Sequence, residues 1–175
     1  MPLRRCLMIP LSSTTSADLT WSKLSYRSYV LELSNHVLGT LSRRSFWSST
    51  FFADTQYGHW TFRRGRWFGA STQILDPTST QKIATFRSVW GSGGGTLTFA
   101  DGETYCLECE GWWRPVWQIA APNGETLLRV HAREKTVELS AASLPSSRLT
   151  QLIFFTWYRA LQAEEDIMIA AITAS

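Results

Sequence analysis

From Tyr26 onward apolar and polar residues alternate with a period of two, and turn-forming residues return about every eight to twelve positions. Alternation of this kind sends neighbouring side chains to opposite faces of a strand, so the pattern predicts a β meander. Leu97 and Phe99 alternate with threonines up to Asp101-Gly102, and Tyr105 and Leu107 alternate beyond it. That dipeptide predicts a hairpin with a two-residue turn between Thr96 and Cys109. A second hairpin follows, in which Trp117, Ile119 and Ala121 lead to Asn123-Gly124 and Leu128, Val130 and Ala132 return. Glu134-Lys135 then turns the chain into Val137 and Leu139. Upstream, Trp60 and Phe62 run to a turn at Arg64-Gly65, and Phe68, Ala70, Thr72 and Ile74 leave it. Asp76-Pro77 ends that strand and the next covers 82–90. The glycine-rich run 91–95 reads as a loop, and with no helix after it the run makes a poor phosphate cradle.

After Leu144-Pro145 the period changes. Ser146 to Arg148 offers a helix N-cap region, and Leu149, Leu152, Ile153, Phe155, Trp157, Tyr158 and Leu161 then fall on nearly every side of a helical wheel. A helix without a polar side must be surrounded. Roughly ten strands are available to encircle it, and closing them into a barrel removes the exposed strand edges. The alternative is a helix on one open sheet whose far side makes a dimer or membrane contact. The acidic run Glu164-Glu165-Asp166 marks where the buried helix comes out into solvent, near residue 163, and is placed to neutralise Arg159.

Two short matches suggest an internal duplication. Thr61-Phe62-x-x-Gly65 returns as Thr98-Phe99-x-x-Gly102, 37 positions on, and Gln73-Ile74-x-x-Pro77 returns as Gln118-Ile119-x-x-Pro122, 45 positions on. The difference predicts an insertion over Glu108 to Pro115.

Composition sharpens this picture. In 175 residues, charged side chains make up 18% and aromatics 13%, nine of them Trp, which excludes a disordered, coiled-coil or collagen-like chain. The net charge of +3 is too small to imply nucleic acid, but the first 66 residues sum to +6 and the rest to −3. The apolar run 149–163 carries Arg159 and is too short and too interrupted to span a bilayer.

Candidate chemistry is sparse. Cys6, Cys106 and Cys109 give an odd number of cysteines, so no disulfide framework is expected and a reducing, cytoplasmic setting fits. Residues three apart in a strand point to opposite faces, so Cys106 and Cys109 do not read as a metal grip. His36, His59 and His131 are dispersed, and no nucleophile elbow, P-loop or paired-carboxylate spacing occurs. No enzyme, metal or cofactor is expected. Residues 1–24, with Arg4-Arg5 before a short apolar stretch broken by Pro10, read as a flexible N-terminal arm and not as a signal peptide.

The meander with its Asp-Gly and Asn-Gly turns, together with the terminal helix LIFFTWYRAL, resembles the tubby C-terminal-like superfamily, which includes tubby proteins, phospholipid scramblases and the plant LURP-one-related proteins. The likeness spans Tyr26 to Ala174, is carried by segments such as GTLTFADGETY (95–105) and WQIAAPNG (117–124), and is nearest to the small bacterial members. It implies a single domain over 25–175: a mainly β, closed antiparallel β-barrel of about 12 strands around a hydrophobic C-terminal helix at about 146–163. Tubby members bind phosphoinositide headgroups through basic strand residues, whereas the proline-rich, acylated and calcium-binding segments of scramblases have no counterpart here.

The functional expectation is a noncatalytic, monomeric binding or scaffold domain. The basic hairpin Arg63-Arg64-Gly65-Arg66, flanked by Trp60, Phe62 and Trp67, is the candidate contact with anionic phospholipid headgroups, peripheral to the inner membrane face. Two alternatives use other partners: a single-stranded nucleic acid stacked on the same rings, or a protein with no lipid role. Alternation places Trp60 and Phe62 on one face, the inside of a barrel, which argues against the nucleic-acid reading.

Overall fold

The computed structural model describes residues 19–45, 48–65, 71–89, 93–111, 114–140 and 144–173. Twelve strands wrap one helix. They are β1 (Leu19–Ser25), β2 (Ser28–Leu33), β3 (His36–Arg43), β4 (Thr50–Thr55), β5 (Gly58–Arg64), β6 (Ser71–Leu75), β7 (Lys82–Ser88), β8 (Gly95–Phe99), β9 (Thr104–Glu110), β10 (Val116–Ala120), β11 (Thr126–His131) and β12 (Thr136–Leu139), followed by α1 (Ser146–Thr173). Each strand pairs antiparallel with its sequence neighbours, and β12 closes on β1 through Leu19↔Val137 and Thr20↔Thr136. The closed alternative is therefore the one adopted, and the sheet has no open edge.

Alternation decides which side chains enter the barrel. Phe51 and Ala53 in β4, Phe62 in β5, Ile74 in β6, Ala84 and Phe86 in β7, and Leu97 and Phe99 in β8 are all nearly inaccessible, while most of their strand neighbours are more exposed, Thr61 and Leu75 being buried exceptions. An eight-stranded barrel is just filled by its own side chains, whereas a wider one leaves room for an element about 10–12 Å across. Here that element is α1, whose side chains from Leu149 to Gln162 are buried except for the partly exposed Gln151.

The contact between helix and barrel is largely aromatic. Trp157 stacks on Trp21 with centroids 4.9 Å apart, and Phe154 meets the edge of the same indole at 4.9 Å. On the other flank Tyr158 stacks on Phe62 at 5.3 Å and meets Phe51 edge-on at 5.4 Å, while Phe155 packs on Phe86 at 5.3 Å. Burial pushes the Tyr158 phenol up to about 12, with the Thr72 hydroxyl beside it. Such pairs add about 0.5–1.5 kcal/mol each beyond the area they bury. Where large rings come in, the barrel wall is small. At Gly39 in β3, a Cβ would lie 2.7 Å from the Asp54 carbonyl oxygen and 2.9 Å from Phe154 Cζ.

Several sequence expectations are corrected in detail. The flexible arm was expected to reach residue 24, but Leu19 to Ser25 form β1, because Leu19 and Trp21 are core residues. The helix was expected to stop near 163, yet it runs to Thr173, since neither Gly nor Pro interrupts it and Ile, Met and Ala sustain it. The Asp101-Gly102 turn holds three residues, not the expected two, and the turn at Asn123-Gly124 holds three as well. The Phe99 N–H bonds to Glu103 and the Ala121 N–H to Glu125, with Gly102 and Gly124 taking the positive-φ position that ends each loop. The turn at Arg64-Gly65 is instead a longer connection, the Gly65 N–H donating to the Ser71 carbonyl, and Phe68 and Ala70 lie outside the described residues. In the glycine run, Gly95 belongs to β8.

The duplication does not survive the topology. An offset of 37 lays β5 on β8, which runs the opposite way in a meander, and an offset of 45 lays β6 on β10, leaving β9 over. The two matches are turn and strand chemistry used twice. The packing yields a direct expectation for stability. Trp157→Ala, which empties a ring from between β1 and the helix, should cost about 3–5 kcal/mol in urea unfolding. Gly39→Ala, which overpacks the wall, should cost about 1–3 kcal/mol.

Candidate functional site

In a meander every second connection lies at the same end, so the barrel has an inlet, where α1 goes in beside the β8–β9 turn, and an outlet, where it comes out among the ends of β3, β5 and β7. The inlet turns are acidic: Asp54, Asp76, Asp101, Glu103 and Glu125 stand there with Lys82 and Arg148. The outlet is basic. Arg27, Arg43, Arg44, Arg63, Arg64, Arg87, Arg114, Arg133 and Lys135 lie at or beside its strand ends, against Glu110, Glu134 and the acidic run of the helix.

At the inlet the charges pair with one another. Arg148 in the first turn of α1 forms ion pairs with Asp101 and, through Nε at 3.2 Å, with Glu103, and its guanidinium lies 3.5 Å from the Phe99 ring centroid. A shallow cleft of about 600 Å³ opens beside this clamp, lined by Asp76, Lys82, Gln81 and Gln151. Burial and the Glu103 carboxylate push the Tyr105 hydroxyl, which donates to that carboxylate at 2.8 Å, up to about 12.

At the outlet two carboxylates of the acidic run are tied to the rim. Glu165 pairs with Arg43, and Asp166 accepts from Arg64 at 3.1 Å. Burial raises the Glu164 carboxyl above the usual range, against the pull of Lys135 and with a further push from Glu165. The expected partnership with Arg159 does not form. Arg159 lies inside the last buried turn, over the Phe86 ring at 4.9 Å, donating to Gln162 at 3.1 Å and to the Gly93 carbonyl at 3.5 Å. Burial lowers its pKa.

Of the candidate headgroup residues, Arg63 is exposed and donates to Gln73 on β6 at 3.1 Å, and Arg64 is exposed beside Asp166. The structure places both at the outlet; Arg66 and Trp67 lie outside the described residues. Trp60 and Phe62 point inward, so they supply no stacking surface for bases. Cys106 is exposed, whereas Cys109 is half-buried and its thiol is pushed up by burial and by Glu110. His59 sits 2.9 Å from Asp54 on the neighbouring strand and His131 sits 3.1 Å from Glu138, each at a different part of the surface. Among the described residues no group of three His, Cys, Asp or Glu side chains could hold a metal ion.

Reading the hairpin Arg63–Arg66 alone missed the wider basic rim. The signal was available in alternate connections: once a meander is assumed, Arg27, Arg44, Arg64, Arg114 and Arg133 all fall at the same end. The two outlet ion pairs should differ in worth. The Arg43 side chain is only 8% exposed, so Glu165→Gln removes a charge-assisted bond to a buried cation and should cost about 1–3 kcal/mol in urea unfolding. Arg64 and Asp166 are 42% and 54% exposed, and Asp166→Asn should change stability by less than about 1 kcal/mol.

The chain matches no protein-family model, no curated protein and no solved structure.

Proposed function

We propose that the chain is a noncatalytic binding domain whose partner is an anionic phospholipid surface, met by the outlet end of the barrel. The observation that carries this reading is the segregation of charge along the barrel axis. Cations near an anionic leaflet gain about 1 kcal/mol each, and acids at the opposite end are kept away from it, so the axial asymmetry both attracts and orients. Because α1 fills the interior, the binding surface of this reading is external. The likeness to tubby proteins, whose members bind phosphoinositide headgroups, points the same way. A domain of this kind would sit in the cytoplasm, peripheral to the inner membrane face. No helix among the described residues is long and apolar enough to cross a membrane.

Vesicle flotation tests the proposal. The protein should float with phosphatidylcholine vesicles containing phosphatidylserine and not with phosphatidylcholine alone, and added salt should weaken the association. Arg63→Ser, Arg64→Ser and Arg66→Ser should each reduce the affinity by about fivefold. A parent protein that stays at the bottom of the gradient with anionic vesicles at low salt would overturn it.

A further inference from the structure

Beyond the rim, α1 does something that headgroup attraction does not explain. From Ile167 to Thr173, beyond the two carboxylates tied to the rim, it stands clear of the described barrel residues, rising about 10 Å at ~1.5 Å per residue. After the acidic run this segment is apolar: Ile167, Met168, Ile169 and Ile172 are 65%, 59%, 60% and 75% exposed. At about 100° per residue these four, with Ala170 and Ala171 between them, leave no charged residue on any side of the helix. Leu24, Tyr26 and Val89, also exposed, belong to the same end of the barrel. Among the described residues of the tip the one hydroxyl is turned back, Thr173 Oγ1 donating to the carbonyls of Ile169 and Ala170 at 3.1 Å. Thr150 and Thr156 do the same to Ser146 and Leu152 in the buried part of the helix. The projecting tip is thus built like the enclosed segment.

We infer that the tip, Ile167 to Ile172, enters the acyl layer of one leaflet, so that the barrel stands end-on upon the membrane. The inference rests on the anionic-surface reading above and adds the depth and the element of contact. A bilayer leaflet is the occupant that the geometry selects. A partner's groove, or a second copy of the helix, covers one stripe, whereas an element apolar all round needs surroundings on all sides. The tip also rises from within a rim bearing Arg27, Arg44 and Arg63, which complements lipid phosphates lying just above the acyl chains. Its reach is about a third of the ~30 Å hydrocarbon core, so it enters one leaflet without crossing the bilayer.

A fluorescent probe measures this. In full-length protein with Cys6, Cys106 and Cys109 replaced by Ser, an environment-sensitive dye is attached through Ile172→Cys or, as a control in the inlet β10–β11 turn, through Asn123→Cys. With anionic vesicles whose acyl chains carry bromine, the dye at 172 should shift to the blue and be quenched, and the dye at 123 should do neither. Ile167→Ser, Ile169→Ser and Ile172→Ser combined should weaken vesicle affinity on the order of tenfold while leaving a salt-sensitive remainder. Flotation of the parent without quenching at 172 would overturn insertion and leave headgroup docking standing. Absence of flotation would remove both. A lipid-free dimer that the triple substitution converts to monomer would also overturn insertion, by assigning the tip to a second copy.

Discussion

The structure depends on one constraint: the helix from Leu149 to Gln162 has no polar side. An amphipathic helix needs one apolar wall, whereas this one needs walls on all sides, and only a closed sheet supplies them within a single chain. The strand number follows from the same demand. A barrel narrow enough to be filled by its own inward side chains has no space for a helix, and twelve strands provide it. The sharing of rings follows too. Trp21, Phe51, Phe62 and Phe86 come from the wall and Phe154, Phe155, Trp157 and Tyr158 from the helix, so one aromatic layer is assembled from both. The low charge and high aromatic content of the chain describe this interior.

Much of the fold could be read from the chain because its signals are local. The Asp-Gly and Asn-Gly dipeptides, the alternation of Leu97 with Phe99 or Trp117 with Ile119, and the change of period at Ser146 each concern neighbouring residues. What escaped depends on distant ones. Leu19 and Trp21 look like the end of a polar arm until Trp157, far along the chain, is seen to need Trp21 as its stacking partner. The β2–β3 turn gave little warning, since Ser34 and Asn35 both take positive φ without a glycine. The third residue in the Asp101-Gly102 loop was missed because the dipeptide marks a turn without fixing its length.

The candidate site was legible only in part, for a topological reason. Charge summed along the sequence divides the chain into a basic first part and an acidic second part, but a meander sorts charge by the parity of its connections. Arg27 and Arg133 are distant in sequence and at the same end of the barrel, whereas Arg43 and Asp54 lie on paired strands and mark opposite ends. The hairpin arginines were therefore found as a local cluster and not as part of a rim. Their partners were equally out of sight: Arg64 meets Asp166 across 102 positions of sequence.

The acidic run of the helix gains its meaning from what lies on both sides of it. Before Glu164 the helix is apolar and enclosed by the barrel, and after Asp166 it is apolar again and enclosed by none of the described residues. A run that merely ended a buried helix would be followed by polar residues or a cap, because exposed Ile and Met gain nothing from water. Glu165 and Asp166 instead hold the helix to Arg43 and Arg64 at the rim, where water reaches, and the chain then resumes the composition it had inside. This is the pattern of a helix that leaves one apolar surrounding, crosses a wet boundary and meets a second. The barrel wall provides the first of these, and the basic rim around the crossing defines the charge of whatever provides the second.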